Sequence, residues 1–141
     1  MEDIKHKTIV IKINQKDAKE GMSREDLYEA ARGRWLVSLD RAKQQEYAFA
    51  VHDNIILDVF KPTAWYTCDE APEGIPQKDK PFKSDEDRKK RKYFIDQSFE
   101  NGEAPDDYQQ FCLGKSIENL TKNNAVGPFF FLEPETQDAD E

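Results

Sequence analysis

Residues 32–35 read Arg-Gly-Arg-Trp, which sets two guanidinium groups two positions apart around a glycine and places an indole directly after them. Guanidinium forks match phosphate oxygens bidentately, so Arg32 and Arg34, with Arg41 a short way on, are candidates to hold an anion. Trp35 and the later Trp65-Tyr66 pair offer ring faces on which a base stacks at about 1 to 3 kcal/mol per base. The densest basic run, Arg88-Lys89-Lys90-Arg91-Lys92, carries the charge needed to follow a nucleic-acid backbone. Each group also has a plainer account. The arginines can pair with Glu25, Glu29 or Asp40, and the basic run can be solvated surface. The tryptophans can be core, a reading that suits Trp35 best because it lies between Arg34 and Leu36 just past a glycine turn.

Three other combinations suggest catalysis and do not sustain it. Gly114-Lys115-Ser116 has the ending of a phosphate-binding loop, but such a loop needs a glycine five positions before Gly114, where this chain has Gln109. His52-Asp53 has no legible nucleophile or metal partner and reads as part of a turn. Asp58 with Lys61 has the wrong spacing for a nuclease metal site and no companion carboxylates. No catalytic residue, metal or cofactor is assigned, and the expected activity is binding without catalysis.

The chain that must position these residues has 141 of them, enough for one domain that buries roughly two thirds of its unfolded surface. Hydrophobic residues make up 37% and charged residues 35%, yet nine Phe, five Tyr and two Trp supply material for a small packed core. Of the formal charge of −8, five negative charges come from the stretch Glu133 to Glu141, which reads as a disordered acidic tail. Within the rest, Lys78 to Lys92 holds eight bases against four acids, a cationic segment in an anionic protein. Cys68 and Cys112 fit reduced thiols in a cytosolic protein. The apolar run near the N-terminus is short and interrupted by charge, so neither a signal peptide nor a membrane anchor is expected there, and the predicted location is cytoplasmic.

Elements follow from pattern. Residues 7–14 mix β-branched apolar residues with Lys and read as a strand with at least one face buried, and 15–22 read as a loop. Ser23 caps a helix with Asp26 as its capping partner and Leu27, Ala30 and Ala31 as the apolar face. Gly33 is expected to end that helix in a left-handed conformation, and Ser38 to cap a second helix over 39–45. Strands at 46–51 and 55–61 should form an antiparallel hairpin around His52-Asp53-Asn54, with Pro62 ending the second one and Ala64-Trp65-Tyr66 resuming it. Residues 67–92 read as a mobile charged loop, 92–99 as a strand, 106–120 as one helix, and FFFLE after Gly127-Pro128 as a last strand. The class is α+β, a small mixed β pseudo-barrel with two or three helices.

Arg32-Gly33-Arg34-Trp35, Arg41-Ala42, the EYAFAV strand, Trp65 and Gly114-Lys115-Ser116 together form an RGxW…RA…AV…W…GKS series. In that series the chain resembles a group of small bacterial and phage proteins placed in the PUA-like superfamily, with the ASCH, EVE and YTH domains as relatives. The resemblance covers roughly residues 9–132, within a single domain over 1–132. It implies a pseudo-barrel that reads RNA or a modified base by holding the base against aromatic side chains, and it assigns no individual residue. The leading expectation is therefore a non-enzymatic binding domain for nucleic acid or an unusual, modified nucleotide. The alternative is an interaction factor of bacterial defence or phage counter-defence that meets a protein partner through its acidic surface and tail.

Overall fold

A computed structural model describes residues 4–14, 22–70, 74–77, 80–121 and 127–134. The described strands are β1 (Thr8–Lys12), β2 (Gly33–Trp35), β3 (Tyr47–His52), β4 (Ile55–Phe60), β5 (Ala64–Thr67), β6 (Lys92–Ile95) and β7 (Phe129–Leu132). The described helices are α1 (Arg24–Ala31), α2 (Leu39–Ala42), α3 (Asp85–Lys90), α4 (Gln97–Glu100), α5 (Asp107–Cys112) and α6 (Glu118–Thr121).

The strand β1 is apolar at successive positions because both of its faces are covered. Ile9 and Ile11 point into a cluster with Leu27, Tyr28 and Ala31 of α1, Phe60, Trp65 and Phe94. Val10 points the other way, among Phe49, Val51, Ile56, Val59, Cys112 and Ile117. β1 is flanked by β3 in parallel and β7 antiparallel, and β3 continues into β4, giving the order β4-β3-β1-β7. The FFFL strand divides the same way, Phe129 and Phe131 to the first cluster and Phe130 and Leu132 to the second. A second, wholly antiparallel sheet has the order β2-β6-β5 and packs Trp65 and Phe94 into the first cluster.

The protein is thus a small mixed α/β structure with two sheets, and among the described residues its strands do not close into a barrel. The expected hairpin forms: Asp53 (φ 51°) and Asn54 (φ 64°) are the two central residues of the turn between β3 and β4. Ala64-Trp65-Tyr66 does not resume β4 but crosses into the second sheet beside β6. Among the described residues six short helices stand where two or three were expected. The segment 106–120 is two of them, because Gly114 takes a positive φ of 80° and its amide donates to the Ile56 carbonyl at 2.9 Å. Strand β6 stops at Ile95, where Asp96 caps α4 by accepting from the Phe99 amide.

Within 67–92, Ser84 caps α3, whose acids (Asp85, Glu86, Asp87) fill the first turn and whose bases (Arg88, Lys89, Lys90) fill the last. That order suits the helix dipole. Residues 15–21 of the stretch expected to be a loop, and residues 135–141 of the expected acidic tail, lie outside the described residues.

Candidate binding cleft

Gly33 is not a left-handed cap. α1 ends at Arg32 in a right-handed conformation, and Gly33 opens β2 against Tyr93 of β6. A Cβ at this position would run into the Pro76 ring and lie 2.7 Å from the Tyr93 Cβ, so a glycine is needed for close approach. This contact brings the loop around Pro76 against the β2 strand, and the two arginines beside Gly33 then turn to different tasks.

Arg32 is 8% exposed. Its Nε donates to Glu29 at 2.9 Å and its Nη1 to the carbonyls of Gly74 at 3.1 Å and Phe94 at 3.4 Å. The guanidinium also lies over the Tyr28 and Tyr93 rings. Arg32 is a buried tie between α1, the loop and β6. Arg34 clamps the same loop from its other side, donating to Pro76 at 3.1 Å, Gln77 at 2.6 Å and Lys80 at 3.0 Å, all through backbone carbonyls. Its guanidinium stacks 3.9 Å from the centroid of Phe82.

Next to Arg34 opens a cavity of about 320 Å³. Lys12, Ile13 and Asn14 line it from the end of β1, Ala30 from α1, Gly33, Arg34 and Trp35 from β2, Gln77 and Lys80 from the loop, and Arg91 from the junction of α3 and β6. Four of these described residues are cations and none of them is an acid. Arg91 is oriented by Asp87, which accepts from its Nε at 3.0 and 3.2 Å, and it also donates to the Arg34 carbonyl at 3.0 Å. Burial and the neighbouring Arg91 and Arg88 charges lower the Arg34 guanidinium from its ordinary value, against the opposing pull of Cys68 and Asp87. An anion in the cavity would relieve that crowding. Trp35 forms part of the wall, its indole fixed by a 2.8 Å bond from Nε1 to the Ala31 carbonyl and an edge contact with Phe129.

The residues singled out from sequence are distributed over the molecule. Arg34, Trp35 and Arg91 meet in the cleft. Arg41 does not; it lies over the Phe131 ring at 3.9 Å and reaches Glu133 at 3.5 Å rather than Asp40. Arg88 pairs with Asp85 and lies over Phe82. Lys89 is exposed on α3, and Lys92 opens β6 with its ammonium on the Lys90 carbonyl. Trp65 and Tyr66 are on β5 and line a second cavity that shares no residue with the first. Lys12, Asn14, Gln77 and Lys80 were not singled out. Lys12 and Asn14 bear the polar signal of a strand end, and Lys80 belongs to the basic segment.

The other groups weighed as chemistry are committed elsewhere. Asp58 is buried and takes both a 2.6 Å and a 3.2 Å bond from Arg24, and Lys61 pairs with Asp106 at 3.1 Å. His52 Nδ1 is 3.0 Å from the Ile13 carbonyl. Lys115 rests over the Phe111 ring, and Ser116 bridges to Ile55. Among the described residues no three His, Cys, Asp or Glu side chains gather as a metal-holding set, and no helix is long and apolar enough to cross a membrane. No protein-family model matches the chain, and no curated protein or solved structure is significantly similar to it.

Proposed function

We propose that the protein is a non-enzymatic binding domain for nucleic acid or a nucleotide, with the cleft between β1, β2 and the residues Gln77 and Lys80 as its phosphate site. The observation that carries this reading is the composition of the cleft: Lys12, Arg34, Lys80 and Arg91 around about 320 Å³ beside the Trp35 ring, with no carboxylate among the described lining residues. A cavity of that size admits a phosphate with part of its sugar or base. The PUA-like resemblance agrees with the ligand class. A pseudo-barrel as the parent architecture and a modified base as the preferred ligand are further parts of the proposal. Arg41, Lys89 and Lys92 lie outside the cleft lining and are assigned no first contact.

Binding of a fluorescently labelled single-stranded oligonucleotide, followed by anisotropy at low salt, tests the reading. Saturable binding that inorganic phosphate or a free nucleotide competes away is expected. Absence of binding to RNA and DNA alike at low salt would overturn it. An acidic protein-interaction surface is the second reading, resting on the −8 charge and on the five acids from Glu133 to Glu141, of which only Glu133 is among the described residues.

A further inference from the structure

We infer a second binding site, between α2 and β5, that takes the lactam edge of a planar heterocycle, an N–H beside a C=O such as a nucleobase carries. The cavity there is about 420 Å³ and is lined by Lys43, Gln45, Pro62, Thr63, Trp65 and Tyr66, among others. Two of these residues are almost fully buried, Gln45 at 4% and Trp65 at 5% exposure. Each carries a polar atom without a hydrogen-bond partner among the described residues: the Gln45 Oε1 acceptor and the Trp65 Nε1 donor.

The two atoms are complementary in sense, and their assignment is firm. Gln45 Nε2 donates to the Arg41 carbonyl at 2.9 Å, which leaves its oxygen as the unmatched end, and an indole nitrogen can only donate. Buried polar groups in folded proteins are nearly always paired, so a donor and an acceptor orphaned at one cavity are a specific anomaly. A group that donates to Gln45 and accepts from Trp65 resolves both at once. A lactam ring does so through adjacent atoms, and the exposed Tyr66 ring offers it a flat neighbour. Both orphan atoms are covered, and Lys43, Thr63 and Tyr66 are the exposed residues of the lining, so a ligand edge reaches the pair only when side chains of this rim move. Trp35 shows the contrast: its indole N–H is already spent on Ala31. The site is separate from the cationic cleft, and its test does not depend on phosphate binding there.

The protein has two tryptophans, so its two indole N–H signals can be assigned in an ¹⁵N-labelled sample with a Trp35→Phe variant. Uridine is the probe, its N3–H facing Gln45 and a flanking carbonyl facing Trp65. Titration with uridine is expected to move the Trp65 indole signal downfield while the Trp35 signal stays in place. N3-methyluridine keeps the ring and both carbonyls but has no donor, and it should bind at least about tenfold more weakly. Gln45→Met should erase the difference between the two nucleosides. If that variant fails to fold, the comparison of the two nucleosides on the unmodified protein decides alone. A Trp65 signal that ignores uridine, that responds equally to both nucleosides, or that shows only a trapped water bridging the two atoms would overturn the inference.

Discussion

At Gly33 a single methyl group decides whether the corner closes, because the Pro76 ring and the Tyr93 Cβ already occupy the space a side chain would need. Gly33→Ala is expected to destabilise the fold by about 2 kcal/mol, within the usual cost of overpacking, read as a lower urea midpoint. Arg32 and Arg34 look equivalent in the chain, flanking the same glycine. They are separated by contacts 42 positions away, Arg32 on the Gly74 carbonyl and Arg34 on that of Pro76. No local pattern discloses such partners, and so Arg32 stood among the ligand candidates while its donors face inward. Arg32→Met should cost about 2 kcal/mol of stability through its lost charged hydrogen bonds and leave oligonucleotide affinity in the folded protein unchanged. The two thiols are buried, and burial pushes Cys68 up to about 11 and raises Cys112 as well. Both should react with a thiol reagent at pH 8 only as fast as the protein opens, many times slower than in urea.

The elements that were legible are those with a local signature. Ser23 and Ser38 each accept from the amide three residues on, as expected of caps, and the β3–β4 hairpin turns at Asp53-Asn54. Helix α3 was missed because it buries no residue, so hydrophobic periodicity had nothing to register; its only signals are the Ser84 cap and the acid-before-base order. Helix α5 starts at a capping box, Asp106 accepting from the Gln109 amide while Gln109 Oε1 accepts from the Asp106 amide. Burial acts to raise the Asp106 carboxyl, but the Gln109 amide, the Tyr47 hydroxyl and the Lys61 ammonium outweigh it and hold the group below its ordinary 3.8. A depressed native value means stability that is present above the unfolded value and lost as pH falls through the folded one. Asp106→Asn retains a capping side chain while removing the charge. Its stability deficit relative to the unmodified protein should therefore be full near neutral pH and shrink below about pH 4, as measured by urea unfolding across pH.

At the scale of the whole molecule, strand content was legible and strand partnership was not. The continuous apolar run of β1 announced a buried strand, but its parallel neighbour β3 lies beyond α1, β2 and α2, and β5 leaves the hairpin it follows in sequence to join a different sheet. Those choices place Trp35 and Trp65 at separate cavities, which divides what looked like one aromatic site into two. They also bring Lys12 from one sheet, Arg34 from the other and Lys80 around a single cleft with no acid among its described lining residues, inside a protein whose net charge is −8. The described lining and the whole chain thus carry charge of opposite sign, and the proposed phosphate contact rests on the local one. The most direct test is the salt dependence of oligonucleotide affinity in the unmodified protein and in Lys80→Glu, which changes an exposed side chain at the rim. With roughly three to four phosphate contacts to a single strand, the unmodified protein should lose about 20- to 50-fold in affinity between about 50 and about 200 mM salt. Lys80→Glu should bind more weakly with a salt slope shallower by roughly 0.7 or more. Equal slopes for the two proteins, or an affinity indifferent to salt, would contradict the assignment of the cleft.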